Sequence, residues 1–232
     1  MIRVVTWNMQ GGGGADTVKN SILESFFNNG YNVICLQEVT NPLGSFRTRT
    51  LGHHDVVIAS PPPPVRGRVH PRDNYVCYYR RWGFNPRCSL AIYTRGTSLD
   101  YGVITLPPAL GGGGQRPMLW VRVAPNYYVA SIHLSQAAHG TMWNRFDHFR
   151  SALAPLMPGV TRVIAGDYNL SPEDLTDGHP GEIAHFTFTP VGVKTHQRGG
   201  RLDYVYSNAL VTNLFPSPEF HSDHCYLTFI VH

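Results

Sequence analysis

The 232-residue chain lacks any apolar run approaching the roughly 20 residues of a membrane span, and no charged-then-apolar leader precedes its first apolar segment. The sequence therefore predicts a soluble protein that is either intracellular or a mature form whose leader has been removed. It also lacks internal repeats and breaks in composition, so we expect one domain over residues 1–232. A hydrophobic content of 42% over this length is sufficient for a substantial core.

Lysine is scarce. Only Lys19 and Lys194 are lysines, so arginine supplies the other 17 of the 19 basic residues. Nine arginines lie between Arg47 and Arg95, where only two acidic residues oppose them, although the net charge of the chain is just +4. Because guanidinium groups bind phosphate through two parallel hydrogen bonds, this segment is the candidate surface for a polyanion. The alternative is a set of solvated loops in an arginine-preferring genome.

Cysteine is limited to four residues without Cys-x-x-Cys spacing, which argues against a zinc site. Cys35 and Cys225 lie in apolar segments, and we expect them to be buried thiols. Cys77 and Cys88 flank a turn. If they lie opposite each other in a hairpin, they would permit a disulfide in a secreted protein, and the sequence leaves this open.

The sequence does contain a series of short polar clusters, each beside an apolar segment rich in β-branched or aromatic residues. Such segments are typical of buried strands. The clusters are Thr6-Trp7-Asn8, Leu36-Gln37-Glu38, Gly166-Asp167-Tyr168-Asn169, Arg201-Leu202-Asp203-Tyr204 and Ser222-Asp223-His224. A single Asp beside a strand is most often a turn or cap residue. Five such clusters in one chain instead indicate a catalytic site.

These side chains suit metal-assisted hydrolysis of a phosphate ester. A phosphodiester resists attack because it is negatively charged, and a hard divalent cation with oxygen ligands neutralises that charge. Asn8 and Glu38 offer such oxygens. An imidazole must then activate water, and Asp203 could fix the tautomer of His224 for this role. His133 is a second imidazole, suited to polarising the phosphate or protonating the leaving group.

The intervening pattern predicts the remaining elements. One helix is expected from the cap Asp16 to Gly30 and another from the cap Thr141 through Leu153. The glycine run at residues 11–14 predicts a flexible loop, and the four prolines Pro61 to Pro64 lie in an irregular segment. Further strands are predicted at residues 56–59, 75–79, 89–93, 102–106, 118–123 and 127–133. Two packed sheets flanked by helices are the expected architecture.

Several motifs stand out along the chain, namely Thr6-Trp7-Asn8-Met9-Gln10-Gly11, Gln37-Glu38, Leu90-Ala91-Ile92, Arg116-Pro117, Ser131-Ile132-His133 and Gly199-Gly200-Arg201-Leu202-Asp203-Tyr204. In this order they resemble the endonuclease/exonuclease/phosphatase superfamily, the group of deoxyribonuclease I, over nearly the whole chain. Within that superfamily they are most similar to the active subunits of the cytolethal distending toxin type. The Trp-Asn-x-Gln-Gly and Gly-Gly-x-Leu-Asp-Tyr forms favour that branch over generic nucleases.

The resemblance implies a four-layered α/β sandwich in which helices flank two central, mostly antiparallel β-sheets. It implies magnesium-dependent nicking of DNA, with Mn²⁺ or Ca²⁺ as the alternative ions. Glu38 would be the principal metal ligand, assisted by Asn8 and Asp223. His133 and His224 would be the catalytic pair of imidazoles.

The same resemblance assigns roles to the remaining polar groups. Asp203 would orient His224, while Asp167 and Asn169 would position water, metal and phosphate. The residues implied to contact the substrate are Arg116, Asn8 and Asn169. Asp73 lies about where this family keeps the carboxylate that pairs with its first histidine, and the alternative for Asp73 is a plain turn residue.

The biological context implied by the resemblance is that of a genotoxin. It would be a secreted protein with delivery or receptor-binding subunits as partners, and it would act on DNA in the nucleus of a target cell. An intracellular enzyme is expected if it is not a toxin. One alternative keeps the site but gives it a phosphoinositide or another phosphate ester, because fold does not determine substrate. An inactive binding module is disfavoured because all the expected polar groups are present.

Overall fold

The computed structural model describes residues 1–13, 16–41, 48–60, 70–83, 85–154 and 159–232. Its strands, in chain order, are β1 (Ile2–Gly13), β2 (Val33–Asn41), β3 (Thr48–Leu51), β4 (Val56–Ser60), β5 (Tyr75–Arg80), β6 (Leu90–Arg95), β7 (Asp100–Ile104), β8 (Met118–Ala124), β9 (Tyr127–His133), β10 (Thr161–Asp167), β11 (Phe186–Thr187), β12 (Asp203–Ser207), β13 (Val211–Pro216) and β14 (Leu227–Val231). The α-helices are α1 (Thr17–Asn28), α2 (His139–Leu153) and α3 (Pro172–Leu175).

The strands of the described residues form two sheets. The first has the order β13-β14-β1-β2-β6-β5-β4-β3, and the second has the order β11-β12-β10-β9-β8-β7. Most neighbouring strands are antiparallel, but β1 and β2 are parallel, and so are β9 and β10. This is the mostly antiparallel arrangement that the sequence predicted.

The two sheets pack face to face, and the long helices cover their outer faces. The core between the sheets combines residues of both, among them Val4, Val33, Ile92, Leu119, Val163 and Val205. On the outer side of the first sheet, α1 buries Leu23, Phe26 and Phe27. On the outer side of the second sheet, α2 buries a similar group, which includes Trp143, Phe146 and Phe149. The predicted four-layered α/β sandwich is therefore confirmed.

The helix predictions were right for α1 and partly wrong for α2. Asp16 caps α1 because its carboxylate accepts a hydrogen bond from the backbone N–H of Lys19 at 3.0 Å. For α2, the helix begins at His139, and its N-cap, Ala138, makes no side-chain hydrogen bond. Thr141 therefore lies inside the first turn and does not cap it. None of the described helices is long and apolar enough to cross a membrane.

The loop predictions were less accurate. The glycine run expected to be a loop continues β1 as far as Gly13, because the parallel pairing with β2 resumes beyond a bulge, with Gly12 opposite Val39. The predicted hairpin is present as β5 and β6. The four prolines at 61–64 lie outside the described residues.

Parallel pairing brings the predicted catalytic residues to a common edge. Parallel neighbours end at the same side of a sheet, so β9 and β10 deliver His133 and Asp167 as direct partners in the ladder. Asp203 is the antiparallel partner of Asp167. Across the sandwich, the Gln37 carboxamide donates to the Ser131 hydroxyl at 2.9 Å and ties the two sheets together beneath this edge.

Gly166 permits the closest approach of two strands at the site. Its φ of 152° is a conformation that residues with a Cβ rarely adopt, and a Cβ built there would lie 2.0 Å from the carbonyl oxygen of Ile132. Only glycine allows β10 to lie this close to β9 immediately before Asp167. This explains the glycine in the Gly-Asp-Tyr-Asn cluster.

Candidate active site

His133 and Asp167 form the centre of the site. Nε2 of His133 lies 3.3 Å from Oδ2 of Asp167 and 3.7 Å from Oε1 of Glu38. His133 and Asp167 are almost entirely buried, whereas Glu38 is partly open to solvent. The first imidazole, at the end of β9, is thus held between a carboxylate at the end of β10 and one within β2.

The second imidazole approaches the same carboxylate from the other side. Nδ1 of His224 is hydrogen-bonded to Oδ2 of Asp203 at 2.7 Å, and its Nε2 lies 3.7 Å from Oδ2 of Asp167. The contact with Asp203 places a proton on Nδ1 and aims Nε2 into the site. The predicted orienting role of Asp203 therefore agrees with the geometry.

The segment that carries His224 is held by one serine. The Ser222 hydroxyl lies 2.7 and 2.8 Å from the carbonyl oxygens of Asn8 and His224, to either of which it can donate its single proton, and it accepts from the backbone N–H of His224 at 3.0 Å. The indole N–H of Trp7 also donates to this hydroxyl, at 3.3 Å. The Trp-Asn motif at the start of the chain thereby fixes the Ser-Asp-His motif near its end.

Charge within the cluster sets the protonation of these groups. Burial alone would lower the pKa of His224, but the carboxylates of Asp203, Asp167 and Asp223 outweigh it and raise the pKa to about 10. Burial alone would raise the pKa of Asp167, but the hydrogen bond and charge of His133 and the charge of His224 hold that pKa well below its usual range. At neutral pH the site therefore contains an imidazolium at His224 facing an ionised Asp167.

Two carboxamides surround Asp167. Nδ2 of Asn8 donates to Oδ2 of Asp167 at 2.9 Å, and the backbone N–H of Asn169 donates to Oδ1 at 2.8 Å. The Asn169 side chain donates to the carbonyl of Leu134 at 2.8 Å. Asn169 and Glu38 have positive φ values of 54° and 52°, a conformation that costs free energy and concentrates at functional sites.

The predicted metal ligands supply oxygen donors suited to magnesium. Oδ1 of Asp223 is buried and has no hydrogen-bond partner among the described residues, although Nε2 of His224 lies 3.8 Å from it. Oδ1 of Asn8 accepts one hydrogen bond, from the backbone N–H of Gln10 at 2.9 Å, and keeps a second lone pair. With Glu38, these oxygens fit a hard cation that retains several water ligands.

The most compact groups of potential ligands are not this set. Among the described residues, three ligand atoms lie within 4.8 Å of one another in Asp167, Asp203 and His224, and again in His196, Asp223 and His224. Glu38 belongs to neither group. The sequence did not single out His196, whose only signal is its position just before the Gly199-Gly200-Arg201 motif.

Arg116, the predicted phosphate-binding residue, lies against His133. Its guanidinium contacts Nε2 of His133, the carbonyl of Leu134 at 3.3 Å and the thiol of Cys88 at 3.3 Å. Guanidinium groups only donate, so this contact requires an unprotonated Nε2, whereas the Asp167 contact requires a protonated one. Nε2 of His133 can therefore satisfy only one of these two neighbours at a time.

The structure decides two questions that the sequence left open. Cys77 faces Tyr93 across the β5–β6 hairpin, and Cys88 instead contacts Arg116, so both are buried free thiols and not a disulfide. Asp73 accepts a hydrogen bond from the backbone N–H of His70 at 2.6 Å and is a turn residue. The other ring nitrogen of His133, Nδ1, is buried without a hydrogen-bond partner among the described residues. The buried thiols predicted at Cys35 and Cys225 are confirmed.

The arginine-rich segment is partly neutralised where the structure describes it. Arg72 lies 3.2 Å from Glu24, and Arg80 lies 3.1 Å from Asp55. The arginines at 47, 66 and 68 lie outside the described residues. A basic surface along this segment therefore stays a prediction.

Comparisons with known proteins agree with this geometry. The model of the endonuclease/exonuclease/phosphatase family matches residues 5–224. A subunit of the cytolethal distending toxin of Escherichia coli is 25% identical over 186 residues, which cover 75% of this chain and 66% of that protein. The chain thus matches just under two thirds of the length of this relative.

Solved structures are similar in fold over almost the whole chain. A chain of the Haemophilus ducreyi cytolethal distending toxin has a TM-score of 0.74 at 19% identity, covering 99% of this chain and 98% of that one. The Actinobacillus actinomycetemcomitans toxin has a TM-score of 0.74 at 20% identity, with the same coverage. At these identities the likeness shows the fold alone.

Proposed function

Because the chain belongs to the endonuclease/exonuclease/phosphatase family, whose members hydrolyse phosphate esters, we propose that it is a metal-dependent phosphodiesterase that nicks DNA. The observation that carries the proposal is the placement of two imidazoles on one buried carboxylate. Nε2 of His133 and Nε2 of His224 lie 3.3 and 3.7 Å from the same oxygen of Asp167. Two proton-carrying groups flanking an anion suit the in-line displacement at a phosphate.

The proposed ion is Mg²⁺, with Mn²⁺ or Ca²⁺ as alternatives. Glu38, Asn8 and Asp223 would hold it, and once bound it would neutralise the charge that builds up on the phosphate oxygens. Oδ1 of Asp223, which has no hydrogen-bond partner among the described residues, and the partly exposed carboxylate of Glu38 support this assignment.

The site residues then divide the chemistry among them. His224, kept as an imidazolium by Asp203, donates from Nε2 to a phosphate oxygen, which revises the sequence-based role of water activation. Asp167 orients the attacking water and accepts its proton as the water oxygen bonds to phosphorus. His133 donates a proton from Nε2 to the leaving oxygen as the old P–O bond breaks, when Arg116 turns from its ring to the phosphate.

Asn169 positions the other groups. Its backbone N–H and side chain hold Asp167 and the carbonyl of Leu134. This leaves its carboxamide oxygen facing the edge where Gln136 donates to it at 3.4 Å. We assign Asn169 to holding water and phosphate in line.

DNA as substrate and a toxin context are supported by the relatives. The Escherichia coli relative is a subunit of a cytolethal distending toxin. We propose that this chain is the catalytic subunit of a genotoxin of that type, secreted and active in the nucleus of a target cell. Delivery or receptor-binding subunits would be its partners.

Relaxation of supercoiled plasmid tests the proposal. Wild-type protein and His133→Ala are each incubated with Mg²⁺ or EDTA, with His139→Ala as a folded control because His139 is exposed on α2. We expect nicking by wild type and the control only with Mg²⁺, and a loss of at least about 100-fold in His133→Ala.

The competing substrate is part of the same experiment. Release of inorganic phosphate from a phosphoinositide is measured in parallel with nicking. Faster phosphate release than nicking would replace DNA as the substrate, and plasmid left intact by folded, magnesium-loaded protein would refute the nuclease proposal.

A further inference from the structure

The two oxygens of the Asp223 carboxylate lie in different surroundings. Oδ2 accepts a hydrogen bond from Nε2 of Gln10 at 2.8 Å, and Nε2 of His196 lies 3.6 Å from it. Oδ1 is buried without a hydrogen-bond partner among the described residues. Oδ2 is therefore hydrogen-bonded, whereas Oδ1 accepts no hydrogen bond from the described residues and lies 3.8 Å from Nε2 of His224.

Gln10 makes a reciprocal pair with Asp223. While its side-chain N–H donates to the carboxylate, its Oε1 accepts from the backbone N–H of Asp223 at 3.1 Å. Both the side chain and the main chain of Asp223 are thereby fixed by one residue. The two partners are 213 positions apart in sequence.

Gln10 also connects Asp223 to another proposed metal ligand. Its backbone N–H donates to Oδ1 of Asn8 at 2.9 Å. Its φ is 49°, an uncommon conformation for a residue with a side chain, and Gly11 follows with a φ of 74°. Strained backbone of this kind persists where the surrounding structure requires it and clusters at functional sites. Gln10 therefore sets the spacing between Asn8 and Asp223.

His196 acts on the same carboxylate oxygen. Its Nδ1 accepts a hydrogen bond from the backbone N–H of Arg198 at 3.2 Å, so the proton of the neutral ring is on Nε2. A nitrogen that carries a proton does not bind a metal. His196, Asp223 and His224 thus have the spacing of a metal site, but in this arrangement the ring N–H of His196 faces Oδ2 of Asp223 at 3.6 Å, an electrostatic contact longer than a hydrogen bond.

We propose that Gln10 and His196 are positioning residues that hold Oδ2 of Asp223 and leave Oδ1 to face the cation. The inference rests on the proposed function, because it takes Asp223 as a metal ligand. Groups that orient a ligand in this way typically contribute about 10- to 100-fold in metal affinity or activity.

Binding of Mn²⁺ to metal-free protein, measured by calorimetry without DNA, tests this inference. Gln10→Ala and Gln10→Met both remove the amide, and Met preserves the length of the side chain. We expect each to raise the Kd for Mn²⁺ by about 10- to 100-fold. His196→Ala should raise the Kd for Mn²⁺ less than the Gln10 variants do. His196→Gln should have a Kd close to that of the wild type, because the Gln amide can also donate a hydrogen bond.

The control is Gln197→Ala. Gln197 donates to the carbonyl of Ser222 at 3.0 Å, so its loss loosens the same segment without touching the Asp223 carboxylate. We expect the Kd of Gln197→Ala to match that of the wild type. An equal weakening in Gln197→Ala would show that general loosening of the segment suffices and would overturn the positioning role.

Two further results would also overturn it. One is a Kd within twofold of wild type in both Gln10 variants, and the other is a wild-type protein that binds no Mn²⁺. Wild-type protein that binds Mn²⁺ but leaves plasmid intact would refute the nuclease proposal alone, since the calorimetric comparison of the variants still decides the roles of Gln10 and His196.

Discussion

Substitution of Gly166 by alanine should damage both stability and catalysis. The added Cβ would lie 2.0 Å from the carbonyl oxygen of Ile132, whereas real Cβ atoms essentially never approach closer than 3.0 Å. The two strands must therefore separate by about 1 Å at this point, the difference between those two distances. Both contacting groups are backbone, so no flexible side chain can absorb the movement.

The movement falls next to the catalytic carboxylate. Asp167 follows Gly166 directly and is the ladder partner of His133. A misplacement of about 1 Å can cost about 100-fold in rate, so we expect phosphodiester cleavage by Gly166→Ala to fall by about that factor. Backbone strain and overpacking should together cost about 3 kcal/mol. For a chain of this length, that corresponds to a melting temperature lower by about 6–12 °C.

Plasmid nicking and thermal unfolding measure the two effects. Gly178→Ala is the matched control, because Gly178 has a φ of 78° but no neighbour within 4 Å of a built Cβ. It should lose about 1 kcal/mol from strain alone and keep its activity. A melting temperature and nicking rate in Gly166→Ala equal to those of Gly178→Ala would refute the steric argument.

Three further predictions concern the chemistry of the site. His224→Ala should reduce nicking at least about 100-fold, like His133→Ala, and a folded variant with nearly normal rates would remove that imidazole from the mechanism. Glu38→Ala should weaken metal binding, so that its residual activity increases with added Mg²⁺. If the residual activity does not increase with added Mg²⁺, Glu38 has a structural role and is not a metal ligand. Asp203→Asn should return the pKa of His224 from about 10 toward its ordinary 6.5, as NMR titration of the ring in metal-free protein can show. Because the folded pKa of His224 is raised, the stability that its protonation contributes is fully present below pH 6.5 and is lost as pH rises through about 10. Urea unfolding of the variant should therefore show a smaller decline in stability over that window.

Local pattern determined much of the fold. Alternating and continuous apolar segments predict the strands. Successive side chains of a strand point to opposite faces of the sheet, so burial of one face or of both determines which positions are apolar. The cap at Asp16 and the spacing of Leu23, Phe26 and Phe27 determined α1 for the same reason. The start of α2 was missed because Ala138 makes no side-chain cap, so no local signal marks that end.

The polar groups of the site were also visible in the chain, because each lies in or beside an apolar strand and matches a family motif. The structure places His133, Asp167, Asp203 and His224 together as the sequence predicted. The residues that contact these groups in the folded protein were not visible in the sequence. Neither the turn role of Asp73 nor the separation of Cys77 from Cys88 follows from spacing, since both depend on the register of strands and the path of turns.

The sequence by itself thus determined which segments are strands and which polar residues end them, because burial and backbone preference act over a few residues. Only the tertiary structure decided which side chains form hydrogen bonds or ion pairs with one another. Gln10 reaches Asp223 across 213 residues, and the close approach at Gly166 depends on which strand lies beside β10. Such contacts result from sheet order and parallel pairing, which bring distant strand ends to one edge.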